Sequence, residues 1–321
     1  MLKLLVVSPI DPATLAQLEQ QHDVITAYEA PEEAIRRLIV DREVLVFRSG
    51  VAITRGVLED APQLRMLIRA GSGLDNLDLE YAGQRGITLE RIAGPGAQAV
   101  AELTFGLMLA LARRIVVADG LLRRGRWAKT EMVGHLLRGK TLGIIGLGNI
   151  GTHVASLGVA WGMSVVGCVE QSSPKREVAY RAAGFELTDR NNVLASGDFV
   201  TVHVPLKDET RNLIDAAAIA RMKRGAFLIN MARGGVVDEH ALYEDLTVGD
   251  HLAGAALDVH VNEGEGKVSP LHEMSNVVLT PHIGASTVDS QRQIGQEIVR
   301  IVDELDQASR PAGDVPGFRS G

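Results

Sequence analysis

The run Gly146-Leu147-Gly148-Asn149-Ile150-Gly151 constrains this chain more than any other segment. It follows the buried-strand pattern Leu142-Gly143-Ile144-Ile145 and opens a helical pattern from Asn149 to Trp161. That context separates a dinucleotide fingerprint from a chance spacing of glycines. Gly146 permits the tight turn, Gly148 lets a pyrophosphate approach the backbone, and Gly151 lets the helix pack on the strand, so the phosphates meet the positive helix N-terminus. A βα turn that holds no ligand needs fewer glycines. The expected fold is therefore α/β with Rossmann-like, doubly wound parallel sheets.

The rest of the chain repeats the alternation. Upstream, strand patterns at Lys3–Val7, Val24–Ala27, Val44–Phe47, Leu67–Ala70 and Ile87–Arg91 are separated by helical patterns at Pro12–Gln21, Pro31–Val40 and Leu79–Arg85. Downstream, strands are expected at Ser164–Gly167, Phe199–His203, Ala226–Asn230, Ala253–Leu257 and Val277–Leu279. The helices between them fall near Lys175–Ala183, Asn191–Ala195, Ala216–Met222 and Asp238–Leu246. A last helix runs from about Val288 to Glu304, and the residues from Ala308 onward read as irregular. A length of 321 residues suggests two domains. The run Ala97–Arg114 is apolar almost all round, which suits a core, a domain crossover or a subunit interface. It is interrupted by Gln98, Glu102, Arg113 and Arg114, and falls short of a membrane span.

Charge and cysteine content exclude other classes. With Lys+Arg 33 against Asp+Glu 40, the chain lacks the basic excess of a nucleic-acid binder. The single cysteine, Cys168, makes neither an internal disulfide nor a cysteine-based metal site, so a reducing compartment, the cytoplasm, is expected. The N-terminus reads directly into a strand without a targeting signal. No metal site is expected, since close His/Asp/Glu ligand spacing is missing.

Candidate chemistry lies just beyond the strand ends, where open α/β sheets bind ligands. A ribose-binding acid belongs about 20 residues past the fingerprint, and Glu170 is the candidate. It would favour NAD over NADP, although Lys175 and Arg176 close behind would suit a 2′-phosphate. Arg233, Glu263 and His282 each follow a strand, and together they fit reduction of a 2-keto acid. That reaction needs a proton donor for the developing alkoxide and a fixed positive charge for the carboxylate and carbonyl. A carboxylate beside His282 favours its protonated ring, and Glu263 would supply it. Taken singly, each of the three reads equally well as an ordinary surface or loop residue. His203 reads as a packed neighbour of the cofactor or as a catalyst, and His260 is the least assignable histidine.

With these motifs assembled, the chain resembles the D-isomer-specific 2-hydroxyacid dehydrogenases, especially the D-3-phosphoglycerate dehydrogenase branch. The resemblance runs from about Val44 to about Glu304. It rests on Arg48-Ser49-Gly50, Arg69 to Asn76, Val100 to Thr104, Gly139 to Gly146, His203-Val204-Pro205-Leu206, Arg233 to Asp238 and Pro281 to Thr287. It implies a substrate-binding domain from residues 1–97 and 285–321, with an NAD-binding domain from 98–284 inserted into it. Arg233 would orient the substrate, His282 act as general acid/base, and Glu263 pair with it. Arg48 and the backbone at Ser72 and Gly73 would hold the anionic substrate. Cofactor contacts map to Gly146, Gly148, Asn149, Ile150, Gly151, Glu170, Val204, Pro205, Met231, Ala232, Arg233, Asp258, His282 and Gly284, with Asp258 at the nicotinamide carboxamide.

A homodimer is implied, as is a small 2-hydroxy or 2-keto acid substrate of the phosphohydroxypyruvate, hydroxypyruvate or glyoxylate type. The alternatives are a specialised paralogue acting on a phosphonate-like or bulky keto acid, or an NADH-sensing corepressor-like protein. The chain departs from the family's pattern at Val169, Gly96, His260 and Gly264, where relatives often have Asp, Asn, Phe and Pro. Glu170 therefore stands one residue beyond the usual acid. Because the chain stops soon after its last helix, the C-terminal regulatory domains of longer relatives are not expected.

Overall fold

The computed structural model describes residues 1–309. The chain folds as two compact units, one of Met1–Gly96 with the segment from Ala285 onward, the other Ala97–Gly284. The expected tail and the end of the expected substrate domain, beyond residue 309, lie outside the described residues.

In the first unit, β1 (Lys3–Val6), β2 (Asp23–Thr26), β3 (Val44–Phe47), β4 (Met66–Arg69) and β5 (Thr88–Arg91) form a sheet in the order β2-β1-β3-β4-β5, and every pair is parallel. β3 and β4 are buried along their whole length, which explains their unbroken apolar runs. Alternate side chains supply two cores. Leu4, Val6, Val44 and Val46 pack with Ile294, Ile298 and Val302 of the closing helix Val288–Ser309, while Leu5, Leu45, Phe47 and Leu67 pack with Ile35, Val57 and Leu58 on the other face. The last two come from α3 (Arg55–Glu59), which follows α1 (Pro12–Gln21) and α2 (Glu32–Leu38) and precedes α4 (Leu79–Gln84). Five residues are too few to leave a period in the sequence, so α3 was not expected. The closing helix passes through Ala308, which corrects the expected irregular tail at that residue.

Helix α5 (Gly94–Ala112) begins in the last residues of the first unit and continues into the second, where α6 (Ile115–Arg123) follows. The second unit's parallel sheet joins β6 (Thr141–Ile145), β7 (Ser164–Cys168), β8 (Glu186–Leu187), β9 (Phe199–Val202), β10 (Phe227–Asn230), β11 (Gly254–Leu257) and β12 (Val277–Leu279) in the order β12-β11-β10-β9-β6-β7-β8. Helices α7 (Asn149–Ala160), α8 (Pro174–Ala182), α9 (Arg190–Ser196), α10 (Ala216–Arg221) and α11 (Glu239–Glu244) connect the strands. The chain reverses its direction of travel at β6, between β7 and β9, and ligand crevices open at such a switch point.

α5 is long and apolar enough to cross a membrane by length and composition, contrary to the expectation from its polar interruptions. Val100, Ala101, Thr104, Phe105, Met108 and Leu111 are among its buried residues, as in a core helix. The left-handed backbone of Arg114, φ 52°, separates it from α6. α6 was not expected, and none of its residues is buried. Exposed apolar side chains gather there and just beyond, at Ile115, Val116, Leu122, Trp127, Val133 and Leu136. Open apolar surface thus lies past the run Ala97–Arg114 that was read as a possible interface.

Candidate active site

Because the strands of the second unit are parallel, all their C-terminal ends lie along one edge, and the residues that follow them meet there. At β6 the fingerprint loop has the form its glycines predict. Gly146 takes φ 99°, and a Cβ on it would lie 2.6 Å from the carbonyl oxygen of His203, which follows β9. A Cβ on Gly151 would meet the Gly146 carbonyl, so α7 packs on the loop only without one. Gly148 has open space around its Cα, and as N-cap of α7 it provides no side-chain acceptor for the first-turn N–H groups. Those donors and that clearance fit a pyrophosphate. Asn149 and Ile150 begin α7. Val204 and Pro205 follow β9, and Met231 and Ala232 follow β10, on the same edge.

Glu170 stands two residues beyond β7, its side chain 81% exposed and its Oε2 3.8 Å from Lys207 Nζ. The ring of His203 is enclosed. Its Nε2 lies 2.9 Å from Thr201 Oγ1, its Nδ1 has no partner among the described residues, and burial pushes its pKa down to about 3. It remains neutral, which suits packing rather than acid catalysis.

The next three strand ends carry the candidate residues Arg233, Glu263 and His282. After β10, the buried Asn230 caps its own turn, with Oδ1 accepting from Ala232 N–H at 3.1 Å and Nδ2 donating to the Arg233 carbonyl at 3.1 Å. Arg233 Nη1 donates to the Ala232 carbonyl at 2.8 Å. Gly234 lies against the loop after β11, where a Cβ would strike the His260 carbonyl. This close approach brings the arginine's turn and the acid's loop together.

Glu263 is placed from two sides. His260 N–H donates to Oε1 at 3.1 Å, and Oε2 lies 2.9 Å from His282 Nδ1. Burial alone would raise its pKa, but the hydrogen bond from His282, that ring's charge and the His260 N–H hold it below the ordinary carboxylate value. Glu263 is therefore ionised wherever the protein is folded near neutrality.

His282 has a left-handed backbone, φ 54°. The element that imposes it is Asp258, 2% exposed at the end of β11. Its Oδ1 accepts from Thr280 Oγ1 at 2.6 Å and Ile283 N–H at 2.9 Å, and its Oδ2 from Gly284 N–H at 2.8 Å. Its carbonyl accepts from His282 N–H at 2.8 Å. Asp258 entered the sequence reading as a cofactor contact, and here its carboxylate organises the histidine's loop. Thr280, Asn230 and Glu239 are positioning residues that sequence reasoning missed. Glu239, 8% exposed at the start of α11, accepts from Val261 N–H at 2.8 Å.

The first unit places Arg48 after β3, where its N–H donates to Ser8 Oγ at 3.0 Å beyond the end of β1. β1 and β3 flank that sheet's own switch point. Burial pushes the Arg48 guanidinium below its ordinary pKa, and among the described residues no carboxylate pairs with it. Ser72 and Gly73 follow β4 in a loop that the buried Arg69 braces, with Nε donating to the Gly73 carbonyl at 2.7 Å. Among the described residues, no three His, Cys, Asp or Glu side chains gather as a metal-holding group.

Comparison with known proteins accords with this fold. The family profile described as "D-isomer specific 2-hydroxyacid dehydrogenase, NAD binding domain" matches residues 105–284. The chain is 44% identical over 306 residues to the D-3-phosphoglycerate dehydrogenase of Methanocaldococcus jannaschii, covering 95% of this chain and 57% of that protein. It is 39% identical over 301 residues to the hydroxypyruvate reductase of Thermotoga maritima, covering 92% and 96%. It therefore spans little more than half the length of the phosphoglycerate dehydrogenase, and nearly all of the reductase. The structure of D-lactate dehydrogenase from Aquifex aeolicus, complexed with NAD and lactic acid, aligns with a TM-score of 0.83 at 28% identity, covering 95% of each chain. The chain belongs to the D-isomer-specific 2-hydroxyacid dehydrogenases, and its second unit carries that family's NAD-binding domain.

Proposed function

We propose that the protein is an NAD-dependent dehydrogenase that interconverts a small anionic D-2-hydroxy acid and its 2-keto acid, of the 3-phosphoglycerate or hydroxypyruvate type. The observation that carries this reading is the 2.9 Å contact between His282 Nδ1 and Glu263 Oε2 on the strand-end edge that bears the fingerprint. NADH, when bound, supplies the hydride for C2.

The chain's own groups handle the proton and the charge. With Nδ1 engaged by Glu263, His282 presents Nε2, which gives a proton to the developing alkoxide in reduction and takes it from the hydroxyl in oxidation. Glu263, kept ionised, offsets the positive ring. Arg233 orients the substrate carboxylate and carbonyl, a task for which a planar guanidinium is suited. Arg48, a half-buried cation that no carboxylate among the described residues pairs with, favours an anionic tail, and the Ser72 and Gly73 N–H groups serve the carboxylate.

The same reading makes the protein cytoplasmic and homodimeric, with the apolar side chains exposed from Ile115 to Leu136 as the surface a second copy covers. A monomer in sedimentation would remove that part.

The test is NADH consumption with glyoxylate, hydroxypyruvate and phosphohydroxypyruvate, by the wild type and by His282→Asn. At least one acid should be reduced, and the variant should lose about 10³-fold in kcat while keeping its NADH affinity. Wild-type turnover in the variant overturns the role of His282. Tight NADH binding without reduction of any acid favours an NADH-sensing protein instead.

A further inference from the structure

Nucleotide sites of this kind tell NADH from NADPH where the adenine ribose meets the end of the strand after the fingerprint. An acid there bonds the 2′-hydroxyl, whereas an arginine nearby accommodates a 2′-phosphate. In this chain that strand, β7, ends at Cys168, and the next residue is the uncharged Val169. The first acid, Glu170, pairs among the described residues with Lys207 alone, at 3.8 Å. Lys207 comes from the segment after β9, and β9 and β7 flank β6 on opposite sides. With its side chain 81% exposed, Glu170 projects a charge that is both screened by solvent and offset by a cation.

Arg176, in the first turn of α8, is fixed where Glu170 is not. Its Nη2 donates to the carbonyl of Leu147, inside the fingerprint loop, at 3.3 Å and to the Tyr180 hydroxyl at 2.8 Å. Tyr180 in turn donates to the same carbonyl at 3.1 Å. The guanidinium carbon lies 5.6 Å from the centre of the Tyr180 ring, which packs on Phe185 at 5.0 Å. These contacts seat the arginine between the glycine loop and the β7–α8 turn, and occupy one edge of it. Among the described residues Arg176 forms no ion pair, and with Nη2 engaged its Nε and Nη1 N–H groups remain to meet a phosphate oxygen.

We propose that the adenosine end of the site accepts a 2′-phosphate, received by Arg176, so that the chain binds NADPH as well as NADH. The proposal rests on the nucleotide reading of the fingerprint and names the residue that sets cofactor choice within it. Lys207 offsets part of the Glu170 charge and solvent screens the rest, so the acid opposes the phosphate weakly and does not anchor the ribose.

Direct titration of the full chain with NADH and with NADPH, followed by nucleotide fluorescence, tests this without turnover. Both should bind. Arg176→Gln should lose at least about tenfold more affinity for NADPH than for NADH, the effect of one charge-assisted contact, and Arg176→Lys should fall between them. 2′,5′-ADP should compete better than 5′-ADP in the wild type and lose that advantage in Arg176→Gln. Equal losses for the two cofactors would make Arg176 a brace for the loop and overturn the proposal, as would a wild type that binds NADH alone. A tenfold fall in NADH affinity in Glu170→Gln would return the ribose to Glu170 and also overturn it. Failure of the wild type to bind either cofactor would strike the nucleotide reading itself.

Discussion

The loop that carries His282 and the loop that carries Glu263 meet at one hydrogen bond but are built by opposite means. The histidine's loop, 280–284, closes around a buried carboxylate. Asp258 takes bonds from Thr280, Ile283 and Gly284, and its carbonyl takes the His282 N–H. That grip holds a non-glycine residue at φ 54°, a conformation costing about 1–2 kcal/mol. The acid's loop runs through exposed residues with Gly264 at φ 120° and Gly266 at φ 72°, and its inner anchor is the bond from Val261 N–H to Glu239. The difference assigns the labour. His282 is positioned by the fold, and Glu263 is positioned largely by His282 and the His260 N–H.

The hardest way to break that arrangement is Asp258→Asn. The amide keeps the shape but turns an N–H₂ toward donors, leaving buried groups unpaired at a cost of about 2–3 kcal/mol. Misplacing the histidine should lower kcat roughly 10²-fold. If Asp258 holds the loop, Tm and kcat fall together while NADH affinity changes little. A fall in NADH affinity with Tm unchanged would instead make Asp258 a cofactor contact, as its motif implied, and would undo the contrast between the loops.

Glu239→Gln addresses the other loop and should do less. The amide keeps an acceptor for Val261 N–H, so a stability loss of about 1 kcal/mol is expected, with kcat down severalfold. Its decisive readout is non-additivity. Combined with His282→Asn, the substitution should lower residual activity no further, because Glu239 acts only through the Glu263–His282 pair. A full additional loss would show that Glu239 serves something else.

Much of this edge was legible in the sequence because its logic is local or topological. The fingerprint declares its glycines, and a parallel sheet brings every strand end to one edge, so Arg233, Glu263 and His282 could be placed on that edge from the sequence. The bracing was not legible. Asp258 reaches N–H groups more than 20 residues away, and Glu239 does the same for Val261. Neither bond leaves a pattern that periodicity detects. Helix α6 was hidden because the break at Arg114 depends on a left-handed turn at a residue with no intrinsic preference for one. Gly264 was visible as a departure from the family's proline, but its sense was not. At φ 120° the position excludes proline, whose ring fixes φ near −65°, so the turn itself is rebuilt here.

The smallest expected effect separates the pair from its surroundings by pH. Glu263 is held below its ordinary value of 4.5, with the bond and charge of His282 outweighing burial. Its proton is therefore taken up first by the unfolded chain. The pair's stabilisation is fully present above pH 4.5 and is lost as pH falls through the depressed value. Glu263→Gln should thus show a small Tm deficit that persists down to pH 4.5, corresponding to less than about 1 kcal/mol for so exposed a group, and the deficit should close only in stronger acid. His203, neutral in the folded state and ordinarily titrating near 6.5, adds a steeper decline over the same range, up to about 1.4 kcal/mol per pH unit. Because that decline is common to both proteins, it cancels in their difference. A deficit that already closes between pH 6 and 5 would mean that His282 does not hold Glu263 ionised, and the acid's loop would then need an anchor of its own.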